Sequence, residues 1–324
     1  MMSDFGIIVQ EVGGPEVLRL EEIALAAPGP GQVRVRIAAC GVNYIDVYHR
    51  TGLYPRPLPF GAGLEGAGVV EALGADVSQL REGDRVAWSG IPGSYASAVI
   101  APAEQLVKIP EGVDERIAAA AMLQGMTAHY LVHGTRETRP GDTALVHAAA
   151  GGAGRLLVQM LVRAGATVIG TCSSAEKEKL VRSAGAQHVI RYSETEFSAE
   201  VRRLSDGRGV DVVYDSVGRT TFDGSLASLR PRGLLVLFGQ ASGPVPPLEL
   251  GRLAAGSFFL TRPSLAHYSA DRRERELRAG AVFDAIRAGQ LEIRIGAEFP
   301  LAEASEAHRA IESRGTTGKL LLVR

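Results

Sequence analysis

Between Thr143 and Gly154 an apolar, strand-like run gives way to Ala149, Ala150, Gly151, Gly152, Ala153 and Gly154, and then to an apolar helix. Six residues without bulky side chains let a backbone come close to a pyrophosphate. The helix N-terminus then meets that group with unused N–H donors and the positive end of its dipole. A tight strand–helix turn with no ligand asks for the same residues, but its setting inside a repeating strand–helix pattern favours a dinucleotide. The G-x-G-x-x-G spacing is absent. At the end of the next strand, roughly 20 residues on, an Asp or Glu would hold a ribose 2′-hydroxyl. This chain has Cys172, Ser173 and Ser174 there, followed by Lys177. Hydroxyls and an ammonium suit a 2′-phosphate, so these residues point to NADPH rather than NADH. The only lysines are Lys108, Lys177, Lys179 and Lys319, and two of them fall in this segment. Glu176 and Glu178 weaken the signal, and an exposed helix lysine is the other reading of Lys177.

A metal is harder to build. His129 and His133 lie four apart on a helix, as metal ligands can, but no Glu stands where a zinc protease needs one. Two helix histidines with ordinary partners fit the spacing as well. The two cysteines, Cys40 and Cys172, make no disulfide framework, so a reducing, cytoplasmic setting is expected.

These residues need elements to hold them. The first third is β-rich: "GQVRVRIAAC" alternates as a half-buried strand does, and "GAGVVEALG", "GDRVAWSG" and "ASAVIAPAEQLVKIP" are short strands split by Gly and Pro. From Glu115 an Ala-rich helical run leads into a second region. There strands are predicted at Thr143–Ala148, Thr167–Thr171, His188–Tyr192, Asp211–Asp215 and Leu234–Phe238, with a sixth in "SFFLTRPS". Helices are predicted at Gly154–Ala164, Ala175–Ala184, Glu196–Leu204 and Thr221–Leu229. Such alternation means a parallel sheet with helices on both faces. After it come an amphipathic helix, "RERELRAGAVFDAIRAG", and a strand, "GKLLLVR", so the tail is expected to return to the first domain. The fold class is α/β, with domains at 1–125, completed by 265–324, and at 126–264.

With 324 residues, two domains are the default. Charge is balanced, 35 basic against 36 acidic residues, which gives no reason to expect a nucleic-acid or membrane-surface partner. No run reaches the roughly 20 apolar residues of a membrane span.

"GDTALVHAAAGGAGRLLVQ" resembles the pattern G-D-x-x-L-x-x-x-A-A-G-G-x-G-x-x-x-x-Q of the quinone oxidoreductase and ζ-crystallin group, within the medium-chain dehydrogenase/reductase superfamily. The match runs from Gly141 to Gln159. The basic or small polar residue usual three places later is Val162 here, with Arg163 next. "GGPEVL", "GVNYIDVYHRTGLYP", "VVYDSVG", "RGLLVLFGQASG", "TRPSL" and "ESRGTTGKLLL" extend the likeness over nearly the whole chain. The resemblance implies a GroES-like β domain and a Rossmann-type doubly wound domain, a homodimer, and NADPH in the cleft between domains. It also departs from the zinc enzymes of the superfamily. Where those carry a ligand Cys and His, this chain reads Asn43 and Leu64, and the cysteine cluster of a structural zinc is missing.

Reduction of a quinone asks little of a metal. The acceptor is already electrophilic, and the charge formed delocalises over a ring, so proximity and a few donors can suffice. The resemblance puts Asn43, Asp46, Tyr48 and Tyr54 around the nicotinamide and substrate. Tyr offers a flat face and a hydroxyl. Read locally, Asn43 also suits a helix cap, and Asp46 with Arg50 an (i, i+4) pair. For the cofactor the resemblance adds Tyr44, Tyr130, Tyr192, Ser216, Phe238, Gly239, Gln240, Arg262, Pro263, Ser264 and Arg314 to the Gly151–Gly154 turn, Ser173, Ser174 and Lys177. The expected activity is NADPH-dependent quinone reduction without a metal. Two alternatives stand beside it: reduction of the C=C bond of an enone or enoyl thioester, and a low-turnover NADPH-binding sensor or structural protein.

Overall fold

The computed structural model describes residues 3–324 and divides into two compact units. One holds the chain up to Met126 together with Ser269–Arg324. The other is Thr127–Tyr268.

In chain order the first unit opens with β1 (Asp4–Val9), β2 (Leu18–Ile23) and β3 (Gln32–Val42), then helix α1 (Tyr44–Arg50). Strands β4 (Phe60–Gly61), β5 (Glu65–Leu73), β6 (Arg85–Ser89), β7 (Ala98–Pro102) and β8 (Val107–Lys108) follow, and α2 (Glu115–Tyr130) leads out. Period-two alternation makes β3 the keel. Val33, Val35 and Ile37 are buried while Arg34 and Arg36 turn outward to pair with Asp4 and Glu71. Strands β5 and β7 both pair antiparallel with β3.

The second unit alternates as the sequence predicts: β9 (Thr143–Val146), α3 (Gly152–Arg163), β10 (Thr167–Cys172), α4 (Ala175–Ser183), β11 (His188–Arg191), α5 (Phe197–Leu204), β12 (Val210–Asp215), α6 (Phe222–Ser228), β13 (Leu229–Leu237), α7 (Gly251–Ala254), β14 (Phe259–Thr261) and α8 (Leu265–Tyr268). All pairings are parallel, in the order β11-β10-β9-β12-β13-β14. Every residue of β12 is buried, as a strand covered on both faces must be. The order reverses between β9 and β12, which makes their C-terminal ends the switch point where ligands collect in such sheets.

Three boundaries differ from the sequence prediction by more than one residue. Strand β9 stops at Val146, because Ala148 turns to a left-handed φ of 49° and leaves the ladder. Helix α3 starts at Gly152 rather than Gly154, with Gly151 as its N-cap. Strand β13 starts at Leu229 rather than Leu234: it follows α6 directly and absorbs Pro231 and Gly233 in a register shift against β12. Helix α2 ends at Tyr130 in a π turn over Leu131–Thr135.

The chain then re-enters the first unit with α9 (Arg272–Arg287), β15 (Ile295–Pro300), α10 (Ala304–Glu312) and β16 (Lys319–Val323). Strand β16 lies antiparallel to β3, with Leu320 opposite Val42 and Leu322 opposite Cys40. Leu320 and Leu322 are buried with Val35, Trp88 and Tyr95. Burying each such leucine contributes roughly 1.5–3 kcal/mol.

Candidate functional site

In the first unit β3 ends at Val42, and Asn43, in extended backbone, is the N-cap of α1. Asp46 reaches back to accept the Asn43 N–H at 2.9 Å, one half of a capping box. The Asn43 side chain points inward and is only 3% exposed. Its Nδ2 donates to Glu65 Oε2 at 2.7 Å and to the Gly41 carbonyl at 3.2 Å. Its Oδ1 accepts from Lys319 Nζ at 2.6 Å and from Gln124 Nε2 at 3.3 Å. An amide offers two N–H donors and two lone pairs, so Asn43 is saturated from within the protein. Lys319 and Glu65 form a buried ion pair at 2.5 Å, and Glu65 Oε1 accepts the Leu123 N–H of α2 at 2.6 Å. A Cβ at position 41 would strike the Glu65 carboxylate, which is why Gly41 has no side chain.

This cluster stands where the zinc enzymes of the superfamily are expected to hold their metal. The residues present do not fit zinc. The Lys319 ammonium already sits on the Glu65 and Asn43 oxygens that a cation would want, and Leu64 brings no donor atom. Cys40 is buried on β3, its Sγ–H donating to the Ser94 carbonyl at 2.8 Å. Burial pushes that thiol up to about 12, so it stays protonated. Among the described residues no three His, Cys, Asp or Glu side chains converge as a metal site would need. The His129 and His133 rings lie 4.8 Å apart.

Asp46 is the chemically open group beside it. Its Oδ2 accepts from the Asn43 N–H and from Tyr95 Oη at 2.8 Å, while Oδ1 is buried with no partner. Burial pushes the carboxyl up to about 7, against the pull of Tyr95, the Asn43 N–H and Lys319. Behind Tyr95 lies His308, its Nε2 3.4 Å from Oη and its Nδ1 3.3 Å from Arg50 Nη1. Arginine only donates, and the Tyr95 proton goes to Asp46. His308 therefore accepts at Nδ1 and donates from Nε2. Burial, helped by the Arg50 charge, drives its pKa down to about 3, so the ring is neutral. Arg50 gives its fork to Glu312 at 2.8 and 3.0 Å, so the Asp46–Arg50 helix pair considered from spacing is not what forms.

Tyr44, Tyr48 and Tyr54 make an aromatic row, with ring centroids 5.5 Å apart for the first pair and 5.0 Å for the second. Tyr48 is buried, while Tyr44 and Tyr54 are half-buried. Burial pushes the Tyr44 phenol up, and Arg314, exposed after α10 with a φ of 58°, acts on it electrostatically. His49, edge-on to Tyr54, is driven down to about 4 by burial and the Arg56 charge.

In the second unit the other candidates sit at the C-terminal ends of the parallel strands. The turn Ala149–Gly154 follows β9, Ser173 and Ser174 follow β10, and Tyr192 follows β11. Ser216 follows β12, Phe238–Gln240 follow β13, and Arg262–Ser264 follow β14. A Cβ on Gly154 would strike the Ala148 carbonyl, and one on Gly239 would lie 2.6 Å from the Ser216 carbonyl. Both glycines are set by close backbone approach. No side chain caps α3, so its first N–H groups suit a pyrophosphate. Ser174 caps α4, its Oγ accepting the Lys177 N–H at 3.3 Å. Glu178 is held by Arg182 and Arg191, away from a role as a ribose ligand. Arg262 donates to the Leu237 carbonyl at 3.1 Å. Tyr130, at the end of α2, is buried and stacks flat on Tyr268, with centroids 4.4 Å apart and planes at 7°.

The sequence reading missed Lys319, Tyr95, His308 and the role of Glu65. The scarcity of lysine was the available signal for Lys319.

Comparisons with known proteins agree with this geometry. Residues 29–111 match the alcohol dehydrogenase GroES-like domain, and residues 184–322 match the zinc-binding dehydrogenase family. A quinone oxidoreductase from Pseudomonas aeruginosa is 46% identical over 96% of this chain and 97% of its own length. A 2-haloacrylate reductase from a Burkholderia species is 43% identical over 98% of both. The crystal structure of the Escherichia coli quinone oxidoreductase complexed with NADPH covers 99% of this chain and all of its own, at 39% identity and a TM-score of 0.97. With its GroES-like unit, its parallel-sheet unit and relatives at this level of identity over their full length, the chain belongs to the quinone oxidoreductase family.

Proposed function

We propose that this protein catalyses NADPH-dependent reduction of quinones without a metal. The observation that carries the proposal is the Lys319–Asn43–Glu65 cluster, which fills the place of a Lewis acid with a closed, hydrogen-bonded set of side chains. Such a site serves an acceptor that needs no Lewis acid. Bound NADPH supplies the hydride. The glycine turn before α3 suits its pyrophosphate, and Ser173, Ser174 and Lys177 suit its 2′-phosphate. The aromatic row Tyr44–Tyr48–Tyr54 offers a flat wall for a ring, and the Tyr54 hydroxyl a donor for a carbonyl oxygen. A quinone that takes up a hydride becomes a hydroquinone monoanion and needs one proton. Asp46 holds a proton close to neutrality and presents an unpartnered oxygen. We assign it the supply of that proton, and Asn43 the fixing of α1. Ser216, Phe238–Gln240, Arg262–Ser264, Tyr130, Tyr192 and Arg314 remain proposed cofactor contacts.

The 2-haloacrylate reductase relative favours a second reading, reduction of an activated C=C bond. The two separate when NADPH and NADH oxidation is followed by absorbance with a panel of quinones and enones, on chelator-treated protein. Quinone-dependent turnover that prefers NADPH and survives chelation is expected. Turnover on enones alone would replace the acceptor, and NADPH binding without turnover would turn the protein into a sensor.

The protein is further proposed to act as a homodimer in the cytoplasm. Edge strand β14 leaves Phe259 61% exposed and one side of its ladder unpaired, a surface that a second copy can extend. Two buried free thiols suit a reducing compartment, and among the described residues no helix is long and apolar enough to cross a membrane.

A further inference from the structure

Directly before the left-handed Ala148 sits His147, 1% exposed, with both ring nitrogens engaged. Nδ1 lies 3.0 Å from Thr171 Oγ1 and Nε2 lies 3.0 Å from Ser225 Oγ. Ser225 Oγ in turn donates to Asp215 Oδ2 at 2.9 Å. Asp215 accepts from Val217 N at 2.8 Å, Gly218 N at 3.0 Å and Thr221 Oγ1 at 2.7 Å, so it is an acceptor throughout. The Ser225 proton therefore goes to Asp215, Ser225 Oγ accepts from His147 Nε2–H, and the bare Nδ1 accepts from Thr171. Burial keeps the imidazole neutral. The ring also meets Phe197 edge-on at 4.8 Å, and the His147 N–H donates to the Tyr214 carbonyl at 3.0 Å.

This chain of bonds joins the ends of three parallel strands. Thr171 is one residue from the end of β10, His147 follows β9, and Asp215 closes β12. Asp215 holds the next loop through Val217, Gly218 and Thr221, and its own carbonyl accepts from Phe238 and Gly239 after β13. A non-glycine residue at positive φ costs of order 1 kcal/mol and persists only where its surroundings over-determine it. At Ala148 that surrounding is His147 on one side and, on the other, the Ala149 N–H bonded to the Thr171 carbonyl at 3.0 Å.

We propose that His147 is a positioning residue for the dinucleotide. Through Thr171, Ser225 and Asp215 it locks the strained turn Ala148–Gly154 and the loop Ser216–Gly218 into one rigid edge. The proposal rests on reading that turn as the NADPH pyrophosphate site. At 1% exposure His147 is out of reach of a bound ligand, and its part would be to fix the backbone that meets one.

The test uses full-length S225A, H147F, T171V and S225T proteins and two measurements. The first is amide hydrogen exchange without ligand. S225A and H147F are expected to speed exchange at residues 149–154 and 217–218 at least tenfold, with T171V less affected and S225T close to wild type. The second is direct binding of NADPH and of 2′-phospho-ADP-ribose, which lacks the nicotinamide. Kd for both is expected to rise at least tenfold in S225A and H147F, and to return within about threefold in S225T. A melting temperature that drops while exchange at these amides and both Kd values stay put would overturn the proposal and leave His147 a core residue. If S225A or H147F does not fold, T171V carries the comparison: unchanged exchange and Kd there would overturn it too. Failure of the underlying cofactor reading shows separately, as wild-type protein that binds neither ligand.

Discussion

Each unit buries a neutral histidine between a donor and a hydroxyl, and each chain of bonds ends on an aspartate. In the first unit the order is Arg50, His308, Tyr95, Asp46. In the second it is Thr171, His147, Ser225, Asp215. The ends differ. Asp215 is surrounded by two backbone N–H groups and two hydroxyls, all pointing at it. Asp46 has two donors on one oxygen and none on the other, and its carboxyl is pushed up to about 7. A carboxylate that meets donors on both oxygens is pinned in place and holds structure in turn. One left half-satisfied in a dry place takes up a proton easily and can return it. On the proposed reading the same motif serves as a fastening in one unit and as a proton store in the other, and the number of donors separates the two.

The largest effect is expected beside the proton store. Lys319→Met leaves Glu65 charged and buried without a counter-ion, which should cost about 3–5 kcal/mol of stability. Chemical unfolding of the full chain reads this directly, and a loss under 1 kcal/mol would mean the pair is not the anchor of Asn43. Next comes the contrast itself. Asp215→Asn turns an NH2 donor toward groups that already donate and should cost about 2–3 kcal/mol, whereas Asp46→Asn should cost less than about 1 kcal/mol. Equal losses in melting experiments would erase the distinction drawn above.

If Asp46 supplies the proton, turnover needs its acid form. The rate should hold below pH 7 and fall, by up to about tenfold per unit, as pH rises past about 7. In Asp46→Asn the rate should be lower and flat across the same range; an unchanged alkaline limb would assign the proton elsewhere.

The contrast also shows in how stability varies with pH. His308 is depressed from 6.5 to about 3, so its contribution is complete above pH 6.5 and is lost as pH falls toward 3. Asp46 is raised from 3.8 to about 7, so its contribution has the opposite sign: present in acid, lost as pH rises through about 7. Relative to wild type, Asp46→Asn should lose stability more steeply on acidification from pH 6.5 to 4, and His308→Gln less steeply. Parallel melting curves for all three proteins would show that neither group titrates as described.

How much of this was legible beforehand depends on distance along the chain. The strand–helix alternation and the glycine turn are local patterns, and their positions followed from periodicity and residue size; the replacements at Asn43 and Leu64 followed from the family resemblance. The ends of β9 and α3 were misplaced by two residues because Ala148 adopts a backbone that only tertiary bonds to its neighbours sustain. The Lys319–Glu65 and Arg50–Glu312 pairs span 254 and 262 residues, and no spacing rule reaches that far. Asp46–Arg50 had the right helical spacing, yet Arg50 is taken by Glu312, brought in by α10. His147 was visible in the chain but reads as one more strand residue until Thr171, Ser225 and Asp215 are placed around it.

The return of the chain to β3 through β16 also sets an order of assembly. Thr127–Tyr268 has every strand of its sheet as soon as Tyr268 has been synthesised. The other unit lacks Glu312, Lys319 and strands β15 and β16 of its sheet until later. During translation the middle of the protein can therefore finish first. The segments that left the ribosome earliest, with Asn43, Arg50 and Glu65 still without their partners, must wait for the residues made last.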